Sequence, residues 1–153
     1  MAEPRVVEGV AGLEALVGQH VGESDWMEIT QERVQDFADA TGDHQWIHVD
    51  PERAAAGPFG GPIAHGYLTL SLVSYFLPRV WRVEGFGMGV NYGLERLRFP
   101  SPVPVGARVR LCADLAEVAP LEGGVQVTVD LTVEVEGGAK PALVARGLFR
   151  YSF

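Results

Sequence analysis

Cysteine is nearly absent. Of 153 residues only Cys112 carries a thiol, so no disulfide can form within the chain. A reducing, cytoplasmic compartment is expected. Long apolar runs are absent as well. The longest, Tyr67–Leu77, is interrupted by Thr69, Ser71 and Ser74, and a bilayer needs ~20 apolar residues. The first residues, MAEPRVVEGV, lack a basic segment followed by an apolar stretch, so neither a signal peptide nor membrane association is expected. Positive charge is scarce: 12 Lys and Arg stand against 20 Asp and Glu, a net charge of -8. That argues against a nucleic-acid partner, which clustered basic residues would hold. An anionic small ligand stays possible, because a local basic patch or a helix N-terminus suffices for it. There is no internal repeat, low-complexity tract or long linker. Apolar residues make up 47% of the chain and charged residues 21%, the balance of a globular protein with a sizeable core. A single domain over residues 1–153 is expected.

The two halves differ in character. In the first, residues Ala11–Val17 suit a short helix and Ser24–Ile29 a short strand. Thr30 is placed as an N-cap for a helix carrying Val34, Phe37, Ala38 and Thr41, which Gly42 would end. Asp50-Pro51 is a second helix start. Gly57–Pro62 is too rich in Gly and Pro for a regular element. Tyr67–Leu77 is apolar around most of its circumference, which predicts a buried helix closed by Pro78. From Gly85 onward the period becomes two. Val125, Val127, Val129, Leu131, Val133 and Val135 alternate with polar residues, and so do Val109, Leu111, Ala113 and Leu115. Gly85–Phe99 and Pro141–Phe153 are further strands, with Gly123-Gly124 and Gly137-Gly138 as turns. An α+β fold follows, an antiparallel sheet wrapped around one central buried helix.

Polar chemistry is densest in Gly42–Asp50. Asp43 and His48 are five residues apart. A helix would set them roughly 140° apart, and a strand would put them on opposite faces. A turn bracketed by Gly42 and Pro51 could fold one towards the other, and a carboxylate and an imidazole so placed can share one water. The plainer alternative leaves Asp43 capping nearby backbone and His48 an ordinary satisfied histidine. His44, His48 and His65 with Asp43 or Asp50 match no structural zinc spacing, so no metal is expected. Cys112 sits in a strand register and is expected to be inert. Ser71 and Ser74 lack a nucleophile-elbow context and are expected to bond backbone carbonyls. His65-Gly66 stands where the Gly/Pro loop meets the start of the apolar helix. Unpaired N–H groups there could hold a developing oxyanion, or the site is simply a turn.

Gly42-Asp43-x-x-x-x-His48, then Pro62-Ile63-Ala64-His65-Gly66, then Asn91–Pro100 and Pro102–Gly106, resemble the MaoC-like (R)-specific enoyl-CoA hydratases. The run Asp43–Pro51 is similar to the NodN-like branch of that family. The resemblance implies a hot-dog fold. It implies Asp43 and His48 as the catalytic pair and the Gly66 N–H as oxyanion donor, with Gln45, Trp46, His65 and Asn91 as further substrate contacts. Gln45-Trp46 replaces the Asn-Pro of many members and is expected to reshape the acyl pocket. The implied reaction adds water to a trans-2-enoyl thioester of coenzyme A, giving the (R)-3-hydroxyacyl thioester, or runs in reverse. It needs no cofactor beyond the coenzyme A of the substrate. A homodimer is implied, and Arg79, Arg82, Arg96, Arg98 and Lys140 are the available cations for phosphate. Two rivals share the ligand: a hot-dog thioesterase, and a non-catalytic acyl-thioester binding module. The apolar helix contains no Asp or Glu, which counts against the thioesterase.

Overall fold

The strand alternation becomes a strongly one-sided sheet. In the computed structural model, which describes residues 2–153, β1 (Arg5–Glu8), α1 (Gly9–Leu16), β2 (Gln19–Glu23) and β3 (Met27–Glu28) are followed by a helical region. That region holds α2 (Gln31–Thr41), α3 (Trp46–Val49), α4 (Pro51–Ala55), α5 (Gly66–Ser71) and α6 (Val73–Val80). Then come β4 (Trp81–Glu84), β5 (Met88–Arg98), β6 (Arg108–Leu121), β7 (Gly124–Val135) and β8 (Leu143–Ser152). The main sheet runs β2-β6-β7-β8-β5, antiparallel throughout, with β3 continuing the β2 edge of β6.

Val127, Val129, Val133, Val109, Leu111, Ala113 and Leu115 are all fully buried. The residues alternating with them are at least partly exposed, apart from buried Thr128, so register is fixed by burial. Against this inner face lie α5 and α6, which bury Leu68, Leu72, Val73, Phe76, Leu77 and Val80. This is the expected hot-dog arrangement of a sheet around a helix.

Local signals set the first helices. The Thr30 hydroxyl accepts the Arg33 N–H at 3.1 Å, and Gly42 ends α2 in the left-handed conformation (φ 81°). The Asp50 carboxylate accepts the Arg53 N–H at 3.0 Å and starts α4 at Pro51.

Three expectations need correction, and one element was not anticipated. The strand placed at Ser24–Ile29 is only Met27–Glu28, and Gln19–Glu23 pairs instead. Ser24 interrupts it because its hydroxyl accepts the Leu111 N–H at 2.9 Å. Pro78 does not close the central helix, which runs on to Val80. Pro78 is exposed near the last turn, where a missing N–H leaves a carbonyl that water can reach. The helix is also not buried all round: Tyr67 is 70% exposed and Tyr75 41%. With Ser71 and Ser74 they form an open stripe, since only one side meets the sheet. Lastly, β1 and β4 form a separate parallel pair that the sequence pattern did not show.

Candidate active site

Three elements converge. Gly42 turns the chain out of α2, and Asp43 stands exposed in the link to α3. The Gln45 residue joins the two sides: its N–H donates to the Asp43 carboxylate at 3.3 Å, and its carbonyl accepts the His48 N–H at 3.0 Å. This brings His48 round towards Asp43. The α3 segment, Trp-Ile-His-Val, has little helix propensity. It is held from outside: Gln31 Nε2 donates to the His48 carbonyl at 2.8 Å, and the Ile63 N–H donates to the Ile47 carbonyl at 3.0 Å.

The loop before α5 is the third element. A bridge between Ile63 and Pro104, and a bond from the Ala64 N–H to the Val103 carbonyl, fix it against the sheet. His65 and Gly66 therefore arrive beside α3. An Asp43 carboxylate oxygen and one nitrogen each of His48 and His65 lie within 4.8 Å of one another.

Protonation follows from the partners. His48 is buried, and its Nδ1 lies 2.7 Å from the Ile63 carbonyl. A carbonyl only accepts, so Nδ1 carries the proton and Nε2 holds a free lone pair. Burial pushes the His48 imidazole below the ordinary histidine value; the His65 ring adds to this, while the Ile63 carbonyl and Asp43 oppose it. His48 is thus a neutral base near pH 7. The rings of His48 and His65 are stacked, with centroids 3.9 Å apart and 24° between planes. In-plane lone pairs of stacked rings do not converge on one ion, so the trio is a poor fit to a metal.

The remaining candidates are dispersed. Trp46 lies under the Arg53 guanidinium, 4.4 Å from its ring centroid, and against Gly57, where a Cβ would come within 2.9 Å of the ring. His44 pairs with Asp39 at 2.8 Å, which raises its pKa. Asn91 is on β5 and lines cavities of about 320 and 380 Å³ between α5, α6 and the strands, together with Ser74 and Phe149. The cavities that Asn91 lines include none of Asp43, His48 and His65. Gly66 borders a cavity of about 280 Å³ with Phe59, Ile63, Thr69 and Phe99. Ser71 Oγ donates to the Tyr67 carbonyl at 2.7 Å, a backbone bond rather than a nucleophile's setting. The Cys112 thiol is pushed up to about 11 by burial and is inert. Gln31, Phe37 and Phe99 were not singled out by the sequence. Gln31 reads there as an ordinary first-turn residue, Phe37 as one of the helically spaced residues of α2, and Phe99 as part of the Asn91–Pro100 strand motif.

The MaoC like domain model matches residues 13–137. The chain belongs to this family. Over 148 residues the MaoC-like chain is 59% identical to 3-hydroxyacyl-thioester dehydratase Z of Mycobacterium tuberculosis (strain ATCC 25618 / H37Rv), covering 96% of this chain and 98% of that protein. It is 47% identical over 139 residues to Nodulation protein N of Rhizobium leguminosarum bv. viciae, covering 89% and 86%. Among solved structures, an (R)-hydratase from A. caviae involved in PHA biosynthesis superposes with a TM-score of 0.72 at 27% identity, covering 87% of this chain and 94% of that one.

Proposed function

We propose that this MaoC-like chain hydrates trans-2-enoyl-CoA to (R)-3-hydroxyacyl-CoA and runs the reverse dehydration. The observation that carries this is the juxtaposition of the Asp43 carboxylate with a neutral His48 whose Nε2 is unprotonated. The names of the similar dehydratase and (R)-hydratase support it. One Asp43 oxygen accepts the Gln45 N–H, and the carboxylate has room to accept from a water as well. His48 Nε2 accepts that water's proton as its oxygen bonds to C3. The C2–C3 π electrons move towards the thioester carbonyl, and the Gly66 N–H donates to that oxygen as it gains negative charge. A proton then returns to C2. No resident metal or redox group enters the scheme.

A homodimer accompanies it. All of β5 except Leu97 is exposed, including Met88, Val90, Tyr92 and Leu94, and it forms the free edge beside the open stripe of α5 and α6. A second copy pairing there would cover both. A cytoplasmic setting fits the single inert thiol, and no helix among the described residues is long and apolar enough to cross a membrane.

The test is loss of enoyl-thioester absorbance from crotonyl-CoA, with Asp43→Asn in parallel. Wild type should consume the enoyl group without releasing free thiol, and Asp43→Asn should be slower by about 10²–10⁴. Free thiol release, or no turnover of crotonyl-CoA or of longer and branched enoyl-CoAs, sinks the proposal.

A further inference from the structure

We propose that His65 is the positioning residue of this site, the single side chain that ties Asp43, His48 and Gly66 to one another. The inference rests on the hydratase proposal and deepens it.

His65 is 3% exposed. Its Nε2 lies 3.0 Å from the Asp43 carbonyl oxygen, 22 residues away in sequence. The carbonyl only accepts, so Nε2–H donates and anchors the otherwise exposed Asp43 link. The ring stacks on His48 with centroids 3.9 Å apart, and the tilted ring of Phe37 lies 4.9 Å away. Its own carbonyl accepts the N–H groups of Leu68 and Thr69, so its main chain forms the start of α5 next to Gly66. One buried residue thereby contacts the carboxylate segment and the base, and its own main chain leads directly into the oxyanion donor. Nothing else among the described residues bonds Asp43 to the body of the protein across such a span.

Among the described residues the Nδ1 atom has no hydrogen-bond partner. The donor at Nε2 and the flat ring against His48 are what an apolar residue filling the same space would not supply. The titratable groups facing His48 are Asp43 and His65, and a charge on one ring opposes a charge on the other.

Two substitutions separate the two contributions. His65→Gln keeps a side-chain donor able to reach the Asp43 carbonyl but removes the ring. His65→Phe keeps a flat ring against His48 and removes the donor. With crotonyl-CoA, His65→Phe should lose about 10–100-fold in kcat, the scale of a misplaced catalytic group, with KM changed less than about threefold. His65→Gln should retain kcat within about fivefold. In both, the acid limb of kcat/KM should move to higher pH, because His48 no longer has a second imidazole opposing its protonation. In an Asp43→Asn background His65→Phe should have no further effect. Equal kcat and an unmoved acid limb in folded His65→Phe overturn the proposal. If the wild type itself shows no turnover, the hydratase proposal fails. His65 is then decided by ring nitrogen-15 NMR: an Nε2–H tautomer that persists in the folded protein supports the tether, and an Nδ1–H tautomer overturns it.

Discussion

Gly66→Ala tests the oxyanion assignment at the one atom it depends on. Gly66 is at the start of α5 and does not occupy the left-handed region, so its backbone accepts alanine. The obstacle is steric. An added Cβ would lie 3.0 Å from Phe99 Cε2 and 3.1 Å from Cδ2 and Cζ, closer than ordinary contact. Phe99 is 42% exposed, so its ring can swing aside. Alanine also restores about 0.5–1 kcal/mol of helix propensity relative to glycine. The two effects offset, and net stability should change by no more than ~1 kcal/mol, a Tm shift of about 2–4 °C for a domain of this size. Catalysis should respond differently. The methyl stands beside the Gly66 N–H and drives Phe99 over the cavity that opens on it. Denying such a donor to the developing oxyanion costs about 10²–10³ in kcat. Enoyl-thioester absorbance and thermal unfolding, measured on one preparation, separate these outcomes. Gly66→Ala/Phe99→Leu adds a control. If the methyl itself excludes the thioester, the double variant stays slow; recovery means the displaced ring was the obstruction. A folded Gly66→Ala enzyme within threefold of wild type would refute the close approach of substrate to this backbone.

Two further outcomes follow from the packing and the surface charges. Phe76 on α6 is 1% exposed, and Phe76→Ala should lower stability by about 3–5 kcal/mol; a denaturant midpoint that implies less than ~1 kcal/mol would show that α6 does not sit in the core. His20 has Nε2 2.6 Å from Glu23 and Nδ1 2.8 Å from Asp114, and these bonds raise its pKa above the ordinary 6.5. Its contribution to stability is then fully present below about pH 6.5 and fades as pH rises through the raised value. An NMR titration should show the raised midpoint and its fall in Glu23→Gln, and an unchanged midpoint in that variant contradicts the assignment.

What was legible in the sequence was local. Thr30, Gly42 and Asp50-Pro51 announce helix ends through bonds within three or four residues, and β6 and β7 announce themselves because one face is buried and the other wet. The elements that were missed depend on distant partners. Arg5–Glu8 pairs with Trp81–Glu84, and strands of four residues are too short to show a period. Trp46–Val49 has β-prone residues yet forms a helical turn, because Gln31 and Ile63 hold its carbonyls. The residue types at the site were legible in the same limited sense. Asp43, His48 and the His65-Gly66 junction stand out by chemistry and motif. Their supports do not, since Gln31 and Phe99 are unremarkable residue types and Ile63 acts through its backbone carbonyl.

The mistaken burial of the central helix is instructive for the same reason. Tyr67–Leu77 is apolar around most of its circumference, and Met88, Val90, Tyr92 and Leu94 recur at every second residue of β5; both patterns point to burial. In the chain by itself, Tyr67, Tyr75 and all four β5 residues are exposed. They are not scattered: the helix stripe and the free sheet edge lie next to each other, with the cavities containing Asn91 between them. Isolated exposed apolar residues need no explanation, but a contiguous patch beside an unpaired strand does. A second copy pairing along β5, as proposed above, would satisfy the backbone groups of that edge and cover the helix stripe together. It would also close the cavities that the single chain leaves open. Asn91, whose cavities are lined by neither Asp43 nor His48, would then belong to a surface enclosed on assembly.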